Sequence, residues 1–156
     1  MPAAGRGRIS TVTAHSPTAA RPVLRRLARP FAALGALALP TAYVATVDPN
    51  SAGHYPTCPF LRATGWWCPG CGGLRCVHAL TRGELTTAAH DNLLAVVLFA
   101  IVGVLWVRWV FAALTGGRPP RVEFGPARAT ALVLLLVAFT VLRNLPIGAH
   151  LAPPAV

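Results

Sequence analysis

Residues 93–114 read LLAVVLFAIVGVLWVRWVFAAL, an apolar run interrupted by one charge, Arg108. A helix that crosses a bilayer needs about twenty consecutive apolar residues, so this stretch alone points to a membrane protein. Trp106 and Trp109 flank Arg108, as aromatic anchors do at a membrane interface. Upstream, residues 31–47 carry no charge. Pro30 stands where a first helical turn tolerates proline, and Pro40 is expected to kink the middle of that helix. Downstream, residues 129–142 are uncharged between Arg128 and Arg143, whose long side chains can snorkel and lengthen a short span. The expectation is an all-α membrane protein with about three transmembrane helices, near residues 30–47, 92–114 and 127–145. They lie in a membrane domain over residues 30–146, preceded by a disordered basic tail (1–29) and followed by a C-terminal tail (147–156).

The flanking composition agrees. Of 156 residues, 54% are hydrophobic and 12% charged, far from the balance of an ordinary soluble domain. The net charge of +10 comes from fourteen basic residues, all of them arginine, clustered at the ends of apolar runs. That placement orients a membrane protein and does not coat a nucleic-acid-binding surface, so no nucleic acid partner is expected. Ten arginines fall in the tail and around the second loop (Arg108, Arg118, Arg121, Arg128), and four (Arg62, Arg75, Arg82, Arg143) on the opposite face. The bias places the N-terminus in the cytoplasm and the cysteine segment outside. A basic stretch before an apolar one also fits a secretory signal peptide over residues 30–47. Without a small-x-small cleavage site, and with two more apolar runs following, a retained span is the more economical reading.

All four cysteines lie in the segment 48–91, between the first and second spans. Cys68-Pro69-Gly70-Cys71-Gly72 has the form of a zinc knuckle: the two-residue spacing aims both sulfurs at one ion, and glycine permits the positive φ of a tight turn. A knuckle is half a tetrahedral site. Cys58 and His78 are the candidates to complete it, with Cys76 and His54 in reserve. Cys68 and Cys71 are equally a dithiol or disulfide pair, and an oxidising outer compartment favours a structural disulfide. From Gly72 onward the pattern is helical, with Cys71, Arg75, His78 and Arg82 on one stripe. Arg75 and Arg82 read most simply as phosphate-snorkelling anchors, and Trp66-Trp67 as a mark of headgroup depth. Glu84, Asp91 and Asn92 are placed to cap or start the second span. Arg143-Asn144 returns to the same membrane face, where it can hydrogen-bond carbonyls of the cysteine hairpin.

These residues resemble a family of uncharacterised bacterial membrane proteins, a domain of unknown function whose cysteine hairpin reads roughly C-P-x-C-G-x-x-R after a first span. The resemblance runs through Asp48-Pro49-Asn50, Gly53-His54-Tyr55-Pro56, Cys58-Pro59, Thr64-Gly65, Cys68 to Arg75 and His78. It continues to Gly83-Glu84-Leu85, Asn92 and Arg143-Asn144-Leu145-Pro146. Leu74 stands where many members carry Thr, and Cys76 where a small residue such as Ala is usual. The resemblance implies a multi-pass protein of the bacterial cytoplasmic membrane and brings no activity with it.

Three functions compete. The first is a non-enzymatic module whose hairpin binds zinc, through Cys58, Cys68, Cys71 and His78, or is locked by a disulfide. It would organise the outer face of the bundle for an unknown membrane or envelope protein partner. The second is a thiol-disulfide oxidoreductase using Cys68 and Cys71. The third binds or processes a phosphate-bearing lipid through Arg75, Arg82 and Arg143. Paired carboxylates, a nucleophile elbow, a P-loop and H-E-x-x-H are all absent from the sequence, which counts against the third. The first leads because the hairpin, the one chemically dense region, lacks a complete catalytic set.

Overall fold

The computed structural model describes residues 20–51, 53–123 and 125–153. Residues 1–19 of the expected basic tail and residues 154–156 lie outside the described residues. The described chain is helical: α1 (Ala20–Thr46), α2 (Pro59–Thr64), α3 (Gly73–Thr81), α4 (Leu85–Thr115), α5 (Pro126–Asn144) and a 3₁₀ turn (Pro146–Leu151). Three helices are long and apolar enough to cross a membrane, over Val23–Thr46, Leu85–Thr115 and Pro126–Asn144. Their large side chains face outwards, Leu37 and Leu39 on α1, Val104 and Phe111 on α4, Leu134 and Val137 on α5. Lipid is the solvent that accepts such faces.

Helix α1 begins upstream of the apolar run, so Arg25, Arg26 and Arg29 lie within the helix and Pro30 sits in its interior, not in its first turn. Proline costs an interior helix one backbone hydrogen bond, which neighbouring helices can offset. Here Pro30 is fully buried, and its carbonyl accepts a 3.0 Å hydrogen bond from Trp106 Nε1 on α4. Phe31 meets the same indole edge-on, with ring centroids 5.8 Å apart. Trp106 thus clamps α1 to α4.

Helix α4 is two helices joined at one residue. Asn92 leaves the helical region, at φ −162° and ψ 92°, and its Oδ1 accepts a 3.0 Å bond from the Ala95 amide. Asparagine is a good N-cap because its side chain replaces a missing intrahelical acceptor. The apolar run from Leu93 therefore starts on its own cap, while Leu85–Asp91 lies against the cysteine segment. Cys76, Ala79 and Ala88 form the packed centre between α3 and α4, with Leu80, Ala95 and Val96 around it. His78, also buried, ties α3 to the end of α1: its Nδ1 lies 2.7 Å from the Val44 carbonyl. A carbonyl can only accept, so Nδ1 carries the proton and supplies a donor to one of the last carbonyls of α1.

The chain after α5 turns back sharply. A Cβ on Gly148 would run into the Leu142 carbonyl, so only glycine fits the turn. The turn brings Pro153, which is buried, against Gly72 of the cysteine segment.

Candidate metal centre

The sulfur atoms of Cys58, Cys68 and Cys71 lie within 4.8 Å of one another. Cys58 Sγ is 3.5 Å from Cys68 Sγ, and Cys68 Sγ is 3.0 Å from Cys71 Sγ. Metal–sulfur bonds of about 2.3 Å at tetrahedral angles put sulfurs about 3.8 Å apart, so the two measured pairs would open by a few tenths of an ångström or more around an ion. Each ligand is delivered by a turn. Cys58 immediately precedes α2, whose Pro59 needs no amide partner in the first turn. Cys68 and Cys71 bracket a turn closed by the Cys71 amide on the Cys68 carbonyl at 3.1 Å. Gly72 follows at φ +81° and leads into α3, a backbone conformation natural to glycine.

The hairpin's backbone is gripped from the spans. Arg143, 1% exposed, donates from Nη1 to the Cys68 carbonyl at 2.8 Å and from Nη2 to the Cys71 carbonyl at 3.2 Å. Asn92 Nδ2 donates to the Pro69 carbonyl at 2.9 Å and to Cys71 at 3.1 Å. Asn144 pairs with Trp67 as a neighbouring strand would, accepting from its amide at 2.8 Å and donating to its carbonyl at 2.9 Å. The consecutive carbonyls of residues 67, 68 and 69, and that of 71, are thus met by side chains from α4 and α5. Asn92 serves twice, as helix cap and as hairpin clamp. The second role had no local signal in the sequence, since 21 to 23 residues separate it from its partners.

Other residues singled out by sequence sit elsewhere. His78 is not grouped with the three cysteines. It faces Val44, and its Nε2 is 3.8 Å from Asp48 Oδ1. Asp48 also accepts from the Asn50 amide and side chain, at 2.9 and 2.8 Å, and those bonds hold its carboxyl below the usual range. Cys76 is buried with its sulfur 3.8 Å from the Asn92 carbonyl, and burial pushes its thiol up to about 11. His54 and Arg82 are exposed, while Arg75 is half-buried.

The thiols differ in reactivity. The Leu61 amide beside Cys58 lowers its pKa. Burial, followed by hydrogen bonds to Cys68 and Cys58, pushes Cys71 up to about 12. Burial disfavours the Cys71 thiolate, so Cys71 is not suited to be the attacking thiol of an exchange pair. In reduced, metal-free protein, Cys58 should alkylate at a lower pH than Cys71, which should resist until the pH nears about 12. Site-resolved mass spectrometry across a pH series checks the order; early alkylation of Cys71 would contradict it.

Residues 58–106 match a family described as a protein of unknown function, DUF2752. That stretch carries the cysteine hairpin, and the match is consistent with an uncharacterised family. No curated protein and no solved structure matches the chain. The DUF2752 match contains the three grouped cysteines and Asn92, and it stops short of Arg143 and Asn144.

Proposed function

We propose that Cys58, Cys68 and Cys71 bind zinc at the outer face of a bacterial cytoplasmic membrane, and that this site is structural. The observation that carries the reading is the grouping of three sulfurs within 4.8 Å. Thiolates select soft or borderline ions, and zinc adds no redox chemistry. Charge balance supports the same reading. Arg143 is buried, and among the described residues it has no carboxylate within ion-pair distance, an expensive state for a guanidinium. Its electrostatic neighbours are Cys68 and Cys71. A divalent ion with three thiolates carries one negative charge, which Arg143 neutralises. The metal would lock α2 to the start of α3 and hold a rigid surface for an envelope protein partner.

Elemental analysis of detergent-purified protein tests this. About one zinc per chain is expected, falling below about a tenth in a Cys68→Ser/Cys71→Ser variant that still purifies as a folded species. Equal metal content in the two proteins would overturn the reading. A Cys68–Cys71 disulfide is the second reading, favoured by their 3.0 Å sulfur separation. It predicts metal-free protein whose mass after alkylation rises by two adducts on reduction.

A further inference from the structure

A three-sulfur set leaves one corner of a tetrahedral ion to another donor. Among the described residues no fourth His, Cys, Asp or Glu belongs to the group. Beside it lies an open cavity of about 530 Å³, with Cys58 and Cys71 in its wall together with Tyr55, Leu61, Trp67 and Arg75. Cavities of this size accept small molecules. No carboxylate residue lines it, and Arg75 in the wall is a cation. A zinc site with every corner filled by protein is closed and inert, whereas three protein ligands and an accessible fourth position admit an outside ligand.

We propose that the fourth ligand is exogenous, a small-molecule thiolate entering from this cavity. The inference rests on the metal reading above. Three thiolates make a soft centre, which favours a soft fourth donor over oxygen. On binding, the thiol loses its proton to solvent, a sulfur–metal bond forms, and any water at that corner leaves. No electron is transferred. The cavity ties the binding event to the wall made by the loop before α2 and the start of α3, so occupancy would register at the hairpin surface.

Full-length protein in detergent, reduced with a phosphine and loaded anaerobically with Co²⁺, separates the two levels. Thiolate-to-cobalt charge-transfer absorption supports the metal reading, and its absence overturns both proposals. Titration with 2-mercaptoethanol should then raise that absorption saturably by roughly one third, as three cobalt–sulfur bonds become four. Ethylene glycol, the thiol-free counterpart, should leave the spectrum unmoved. A spectrum indifferent to the thiol, or cobalt stripped from the chain, overturns the inference and leaves the metal site standing. The His54→Ala variant, altered at an exposed position between two residues of the cavity wall, Gly53 and Tyr55, should respond as the unchanged chain does. If only the variant responds, His54 is the fourth donor and the exogenous ligand is ruled out.

Discussion

The Arg143→Met variant is expected to bind zinc about 10–100-fold more weakly than the unchanged chain. Methionine keeps much of the buried volume and removes the charge. Two hydrogen bonds to the Cys68 and Cys71 carbonyls are lost with it. Those carbonyls retain other partners, since the Cys71 amide bonds the first and Asn92 the second. The main loss is therefore the counter-charge to the metal–thiolate group. In metal-free protein with neutral thiols the same charge is costly to bury, because Arg143 has no carboxylate partner among the described residues, and its Nε is buried without a hydrogen-bond partner. Arg143→Met should accordingly cost little stability without metal and much of the stabilisation that metal adds. Asn144→Ala is the contrasting case. It removes the paired bonds to Trp67 and no charge, so it should lower metal-free stability by about 1–2 kcal/mol and change zinc affinity by a few-fold at most. Competition titration with a zinc-binding dye, alongside denaturation in detergent, distinguishes them. Equal losses of affinity in both variants would remove the electrostatic role assigned to Arg143.

A second large effect is expected at Gly72. Its φ of +81° already disfavours any side chain. A Cβ there would also strike the Asp91 carbonyl and come within 3.1 Å of the Pro153 Cβ. Backbone, not a flexible side-chain tip, blocks it on the Asp91 side, so α3 and α4 must part to admit a methyl group. Gly72→Ala should cost about 3–4 kcal/mol. The neighbouring Gly73→Ala is the control. A Cβ at Gly73 meets nothing within 4 Å, so the change should stay within about 0.5 kcal/mol. Unfolding midpoints in mixed micelles give both values, and equal stability of the two variants would contradict the packing described here.

The spans were legible because bilayer thickness dictates a length of apolar sequence that nothing else requires, and residues 93–114 meet it without help. Where α1 begins was less so. Arginines among small residues resemble a solvated tail, and only the contact between Trp106 and Pro30 shows how the helix interior absorbs its proline. In the cysteine segment, the C-x-x-C spacing marked Cys68 and Cys71, and proximity in sequence made Cys58 a natural addition. The pattern put His78 on one helical stripe with Cys71. But α3 begins only at Gly73, after the positive φ of Gly72, so that register does not reach Cys71 and the imidazole meets the end of α1. The cavity beside the sulfurs had no signature at all, because its wall is assembled from the loop before α2, α2 itself and the turn into α3. Spacing reports which side chains can converge; it is silent on the empty volume they leave.

The grip of Arg143 and Asn144 on the hairpin also bears on biosynthesis. The two residues lie 72 to 77 positions after the backbone groups they hold. The hairpin therefore leaves the ribosome long before its clamps exist, and in that interval Asn92 is the side chain from α4 that can satisfy it. Completion of the hairpin becomes a late event of membrane insertion, conditional on the last helix reaching its full depth. A chain whose third span stalls would display an unfinished knuckle, and the state of that surface would report whether insertion had been completed.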